Sequence, residues 1–420
     1  MQLILRPVTR LIAVGFAALF SAYVSAATQI QFWTMQLSPF HDEYVNGLIA
    51  EFERQNPDVR VKWVDVPWKE MEKKVLASVA ARTAPDLVNL NPQFAAKLAQ
   101  YGALADPEQF LAPEEIDAYL PNIWQANKYR GQSFAIPWYL STTVTIFNRE
   151  LLETADAEVP SDHVELLDTA KRIRTVLDKY AYFPAMDGSH PMESLVAMGA
   201  QLVDESRSAV GFDNEAGQAF FRYYRDLYQQ GLIPRNVLTE GHRKAVDLFQ
   251  SGEVAMITTG MQFLNNIRIN SPDLFEKVGI APQLKVAGAP YNVAVMNLAV
   301  PALSQNKEAA FRFATFVTNH ENQMALAHRV PLMPSTAESY RDPFFSELGP
   351  EPGIVDRARL LSAQQILEGG VLVPPLPNYS KLKTSFVYNL QSAMLGKLSV
   401  DEALDETAET WALFLGGSDD

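Results

Sequence analysis

Thr28-Gln29-Ile30-Gln31-Phe32-Trp33 alternates polar and apolar residues as a half-buried strand does, and directly after it the period changes. Phe40, Tyr44, Leu48 and Phe52 recur every four residues, which predicts an amphipathic helix opened by Pro39 and stopped at Asn56-Pro57. Residues 60–66 read as a second strand. A helix with Trp68, Met71, Val75 and Val79 on one face follows, and then a third strand over 86–90. Strand and helix alternating over so short a span predict a parallel sheet with helices on its faces. Such sheets bind ligands beyond the carboxyl ends of their strands. On that rule Trp33-Thr34-Met35-Gln36 and Asn89-Leu90-Asn91-Pro92-Gln93 face one crevice.

The stretch GQSFAIPWYLSTTVTIFNRE, residues 131–150, sets Trp138 and Tyr139 beside Pro137 ahead of a β-branched and aromatic run that favours a strand. Residues 150–260 read mainly as helices, at 164–180, 192–203, 216–230 and 245–250, closed by a strand over 253–259 that Gly260 breaks. A strand over 293–300, a helix over 307–326 and two last helices over 381–394 and 400–415 complete the pattern. Ser399-Val400-Asp401-Glu402 is a capping box for the final helix.

Composition narrows the class. Arg6 and Arg10 precede an apolar stretch from Leu11 to Val24 and the small residues Ser25, Ala26 and Ala27, so residues 1–26 are expected to be a secretory signal peptide cleaved near Ala26. The remainder is long enough for two domains. With no cysteine it can be neither disulfide-stapled nor lipidated on a cysteine, and the expectation is a free protein of a bacterial periplasm. The formal charge of −14 has its 35 Lys and Arg scattered among 49 carboxylates, which argues against nucleic acid as a partner.

Catalytic patterns are missing. Six histidines show no metal-ligand spacing, so no metal or cofactor is expected, and there is no Gly-x-Ser-x-Gly, phosphate-cradling loop or thiol. His41-Asp42-Glu43 reads as an acidic first turn that complements a helix dipole. Two carboxylates of a secreted carbohydrate-active enzyme stay open among 49 acidic residues, as does a periplasmic scaffold with an empty cleft.

Seven motifs in order carry a resemblance. They are the strand ending in Trp33; Ala84-Pro85-Asp86-Leu87-Val88; Tyr101-Gly102-Ala103-Leu104; Ala135-Ile136-Pro137-Trp138 with Phe147-Asn148-Arg149-Glu150-Leu151; Phe249-Gln250-Ser251-Gly252-Glu253-Val254-Ala255-Met256 to Gly260; Asn306-Lys307-Glu308-Ala309-Ala310; and Leu395-Gly396-Lys397-Leu398-Ser399-Val400-Asp401-Glu402-Ala403-Leu404. In these the chain resembles the extracellular solute-binding proteins of bacterial ABC importers, in the sugar-binding, maltose-binding-protein-like branch. The resemblance implies an α/β, two-lobe periplasmic-binding-protein fold of type II, with hinge segments between lobes and solute in the cleft. It sets residues 27–142 and 263–331 in the N-terminal lobe and 143–262 and 332–420 in the C-terminal lobe. It also implies a monomer that is not an enzyme, with membrane permease subunits as partners.

A sugar needs paired hydroxyls and flat rings against its C–H faces. The substrate-binding candidates are accordingly Trp33, Trp68, Trp138 and Tyr139 for the faces and Gln36, Asn91 and Gln93 for the hydroxyls. The other lobe offers Gly260, with Thr259 beside it, Gln262 and Tyr379. Tyr182 and Met186 are further candidates, and Arg329 is assigned to a surface salt bridge. Gln262 or Phe263, and Met296, stand where sugar-binding relatives often carry tryptophan, which favours a monosaccharide, polyol or glycoside over a maltose-like oligosaccharide. A non-sugar solute such as glycerol phosphate stays open.

Overall fold

A computed structural model describes residues 27–416; the expected signal peptide lies outside the described residues. Its strands, in chain order, are β1 (Thr28–Met35), β2 (Val59–Val66), β3 (Leu87–Leu90), β4 (Lys128–Tyr129), β5 (Gln132–Ser133), β6 (Ile136–Asn148), β7 (Tyr180–Tyr182), β8 (Val254–Gly260), β9 (Val278–Ala281), β10 (Val293–Ala299) and β11 (Met333–Pro334). Helices lie between them on both sheet faces, as the early alternation of periods predicts.

The two lobes share one strand. β6 has 13 residues, about 43 Å at 3.3 Å per residue. Residues 136–142 ladder with β10, which continues to β3, β1 and β2. Residues 143–148 ladder with β8 and β9, and β7 extends that sheet beyond β8. The changeover falls at Thr142-Thr143.

Each lobe has its own aromatic core. In the first, Phe32 meets Phe313 edge-on at 5.3 Å and Phe52 meets Phe313 at 4.8 Å. In the second, Phe212 stands 5.0 Å from Trp411 and 5.6 Å from Phe386.

The lobe boundaries expected from sequence need correction. β9 pairs with residues 145–148, and Leu264, Ile267 and Val278 are buried in the second core, so the chain stays in that lobe well past residue 263. It crosses back between β9 and β10. β11 pairs with Tyr139 and Leu140, so the chain just beyond residue 332 lies on the first lobe's sheet.

A buried amide network ties this crossing down. The Gln283 amide donates to the Thr142 hydroxyl and to the Asn292 carbonyl at 2.9 Å, while its oxygen accepts from the Asn292 amide at 2.9 Å. The Gln283 main-chain N–H donates to Gln365 Oε1 at 2.8 Å.

Two local readings also change. The helix expected over 307–326 is two, Lys307–Val317 and His320–Ala327, because Asn319 takes an extended conformation and its side chain accepts from the Asn322 amide to start the second. The helix expected to reach residue 180 ends at Leu177, where Asp178 takes a left-handed φ of 54°, and Tyr180–Tyr182 forms β7. The Ser399 capping box is present in both directions.

Candidate functional site

On the first lobe the loop after β1 is held by one carboxylate. Asp65 Oδ1 accepts from the Thr34 hydroxyl at 2.7 Å and the Leu37 amide at 3.0 Å, and Asp65 Oδ2 accepts from the Ser38 amide at 3.2 Å. Gln36 sits in this loop with a left-handed φ of 53° and an exposed side chain. Its neighbour Trp33 is buried among Met71, Val75, Phe94 and Phe134, with the Lys74 ammonium 4.3 Å from its ring centre. Its indole N–H is buried without a partner.

The loop after β3 supplies two amides in different roles. Asn91 caps the helix Pro92–Gln100, its Oδ1 accepting from the Phe94 amide at 2.9 Å, so that oxygen is committed to the fold. Gln93 reaches across to residues of the other lobe's side, where its Nε2 donates to the Val373 carbonyl at 3.1 Å. Gln93 Oε1 is buried with no partner. Trp68 opens the helix Trp68–Ala80 and is 48% exposed, a large ring turned to solvent.

Trp138 and Tyr139, expected to face the solute, are packed with the first lobe's core, Trp138 fully and Tyr139 in part. Trp138 is 1% exposed, 6.1 Å from Phe32 and 5.0 Å from the Tyr139 ring, and belongs to the first lobe's core. Tyr139 packs against that core, and burial pushes its hydroxyl pKa well above the usual range.

On the second lobe, β8 ends at Gly260 beside Thr143. A Cβ on Gly260 would stand 2.1 Å from Gln262 Oε1, so the missing side chain is what lets the Gln262 amide fold back there. Gln262 is otherwise exposed at the start of the helix Gln262–Asn270, and Thr259 is buried. Tyr379 opens the helix Tyr379–Met394. Burial, with the nearby Glu193 carboxylate adding to it, pushes the Tyr379 hydroxyl up to about 12 against an opposing hydrogen bond with Ser189. Met186 is buried in the second core, and Arg329 donates to the Ala325 carbonyl at 3.1 Å.

Tyr182 lines a cavity of about 70 Å³ at the changeover, together with Thr143, Glu193, Gln283 and Asn292. His190 and His242 open onto the same space. Ligand pockets usually span about 300 Å³ or more, so this space is room for a few waters or one ion and not for a sugar ring. Sequence reading missed Asp187, His190, Glu193 and His242. No local pattern marks them; only in the folded chain does Gly241 leave room for the Asp187 carboxylate, where a Cβ would stand 2.5 Å from Oδ2.

A larger hollow of about 1010 Å³ lies elsewhere on the first lobe, walled by Phe52, Glu115, Arg312, Phe316, His320 and Arg341, and holds none of the expected site residues.

The profile of a family described as bacterial extracellular solute-binding protein matches residues 41–324. A crystal structure of a Synechococcus sp. MITs9220 protein, assigned provisionally as an oligosaccharide periplasmic-binding protein and determined in complex with zinc, superposes with a TM-score of 0.85 at 36% identity, covering 92% of this chain and 98% of that one. The mannitol-binding protein of Pseudomonas aeruginosa is 22% identical over 388 residues, covering 86% of this chain and 87% of its own. The maltotriose-binding protein of Pyrococcus abyssi is 21% identical over 316 residues, covering 73% and 66% respectively.

Proposed function

Because the chain belongs to the bacterial extracellular solute-binding protein family, we propose that it captures a sugar or related polyhydroxylated solute between its lobes and delivers it to the permease subunits of an ABC importer. The observation that carries this reading is Gln93. Its amide nitrogen donates to the Val373 carbonyl at 3.1 Å while its oxygen is buried and unpaired, and a buried acceptor without a donor costs about 1–3 kcal/mol. A solute hydroxyl donating to that oxygen would recover the cost. The exposed Trp68 ring and the amides of Gln36 and Gln262 offer the flat face and further hydrogen-bonding groups a sugar needs. The names of relatives that bind mannitol and maltotriose support the same class.

The mechanism is a change of population and not a reaction. Open lobe arrangements exchange with closed ones, a solute that bridges both lobes stabilises the closed form, and that form is what the permease recognises. No bond is made or broken. The protein works as a monomer in the periplasm, released from its leader and free of lipid. Among the described residues no helix is long and apolar enough to cross a membrane.

A thermal-shift series with mannitol, maltotriose, monosaccharides and glycerol phosphate tests this. A sugar or polyol at about 100 times its dissociation constant adds about 2.7 kcal/mol of stability. A panel in which only glycerol phosphate shifts the melt, or in which an oligosaccharide is hydrolysed, overturns it. Trp68→Ala separates ring stacking from folding: its stability should change by no more than about 0.5 kcal/mol, as an exposed site does, while calorimetry on the best solute should show about tenfold weaker binding, about 1.4 kcal/mol.

A further inference from the structure

Asp187 holds two imidazoles at once. Its main-chain carbonyl lies 2.7 Å from His190 Nδ1, and its carboxylate Oδ2 lies 2.8 Å from His242 Nδ1 while Oδ1 accepts from the His242 main-chain N–H at 3.0 Å. Both of these Asp187 oxygens can only accept, so each Nδ1 carries the hydrogen. That tautomer leaves both Nε2 atoms as lone-pair donors. A carbonyl or carboxylate accepting from Nδ1 is how proteins orient histidines that bind metals.

The spacing agrees. With a metal–nitrogen bond of about 2.0 Å and each nitrogen about 1.2 Å from its ring centre, two imidazoles on one tetrahedral ion have centres about 5.2 Å apart. The His190 and His242 rings are 5.8 Å apart and tilted by 32°. Both side chains are about two-fifths exposed, so an ion has access. Glu193 lines the same cavity; one of its oxygens accepts from the Ser189 hydroxyl at 2.5 Å. Among the described residues no three His, Asp or Glu side chains already surround one point. The two imidazoles are thus nitrogen donors this cavity offers, and Glu193 is a carboxylate on the same lining.

We propose that His190 and His242, oriented by Asp187, bind one borderline divalent cation of the zinc class through their Nε2 atoms. Nitrogen donors select such an ion over magnesium or calcium, which prefer all-oxygen shells. The cavity borders the solute-binding candidates Tyr182 and Tyr379, yet the ion is held by groups the sugar reading does not use, so either reading can fail without the other.

Titration of chelator-treated, tag-free protein with zinc chloride in a calorimeter tests it. One ion per chain is expected, with magnesium at large excess not competing. His190→Ala and His242→Ala should each weaken binding at least tenfold, and Asp187→Asn, which keeps the shape but loses the carboxylate, by about 10–100-fold. Far-UV spectra and metal-free melting temperatures matching the parent establish that the variants fold. For any variant that does not match, His190→Gln and His242→Gln replace it. Zinc affinity unchanged in folded protein carrying both His190→Ala and His242→Ala, or magnesium displacing zinc at similar concentration, overturns the proposal.

Discussion

Trp138→Ala should lower stability by about 3–5 kcal/mol, the range for deleting a large aromatic from a packed core. The ring is fully enclosed, with Phe32 and Tyr139 against it and β10 alongside its strand, so alanine leaves a cavity at the point where β6 enters the first lobe. Urea unfolding measures the effect. Trp138→Phe should lose clearly less, because it keeps the ring and removes an indole N–H that is buried without a partner. If Trp138→Ala unfolds like the parent and loses only solute affinity, the ring is a binding surface and the packing described above is wrong.

The second large effect is expected at the crossing. Gln283→Met keeps the side-chain length and removes every hydrogen bond the Gln283 amide makes to Thr142 and Asn292. The Asn292 N–H is then left in a largely buried site without its acceptor. A lost set of bonds with one orphaned donor should cost about 3 kcal/mol. Residues 283 and 292 bracket the return from the second lobe to the first, so the variant should also loosen how the lobes sit together. Small-angle scattering should show a larger radius of gyration for the solute-free variant than for the parent. An unchanged melt and an unchanged radius would mean that the network has no part in holding the crossing.

Much of the fold was readable because the signals are local. β-branched residues in 142–147 mark the shared strand, and the change from a period of two to one of four marks the first helix. The Ser399 box needs only residues three apart. The place of Trp138 is not legible locally. Ile136, Trp138, Leu140 and Thr142 are buried along one face of β6, while Tyr139, Ser141 and Thr143 between them are only partly covered, and the residue types alone do not say which face turns to the core. Asn91 was read as a hydroxyl binder although its side-chain oxygen is used as a helix cap, a choice made by the position of the Phe94 amide.

The order of the short motifs, the family and the presence of two α/β lobes were determined by the sequence alone, since each rests on contacts between near neighbours or on a run of residue types. Three things waited for the tertiary structure: the return crossing at Gln283, the hydrogen bond from the Gln93 amide to Val373, and the pairing of His190 with His242 around Asp187. Each joins residues far apart in the chain or fixes a side chain's direction, and residue spacing carries no information about which distant groups the folded backbone brings within hydrogen-bonding reach.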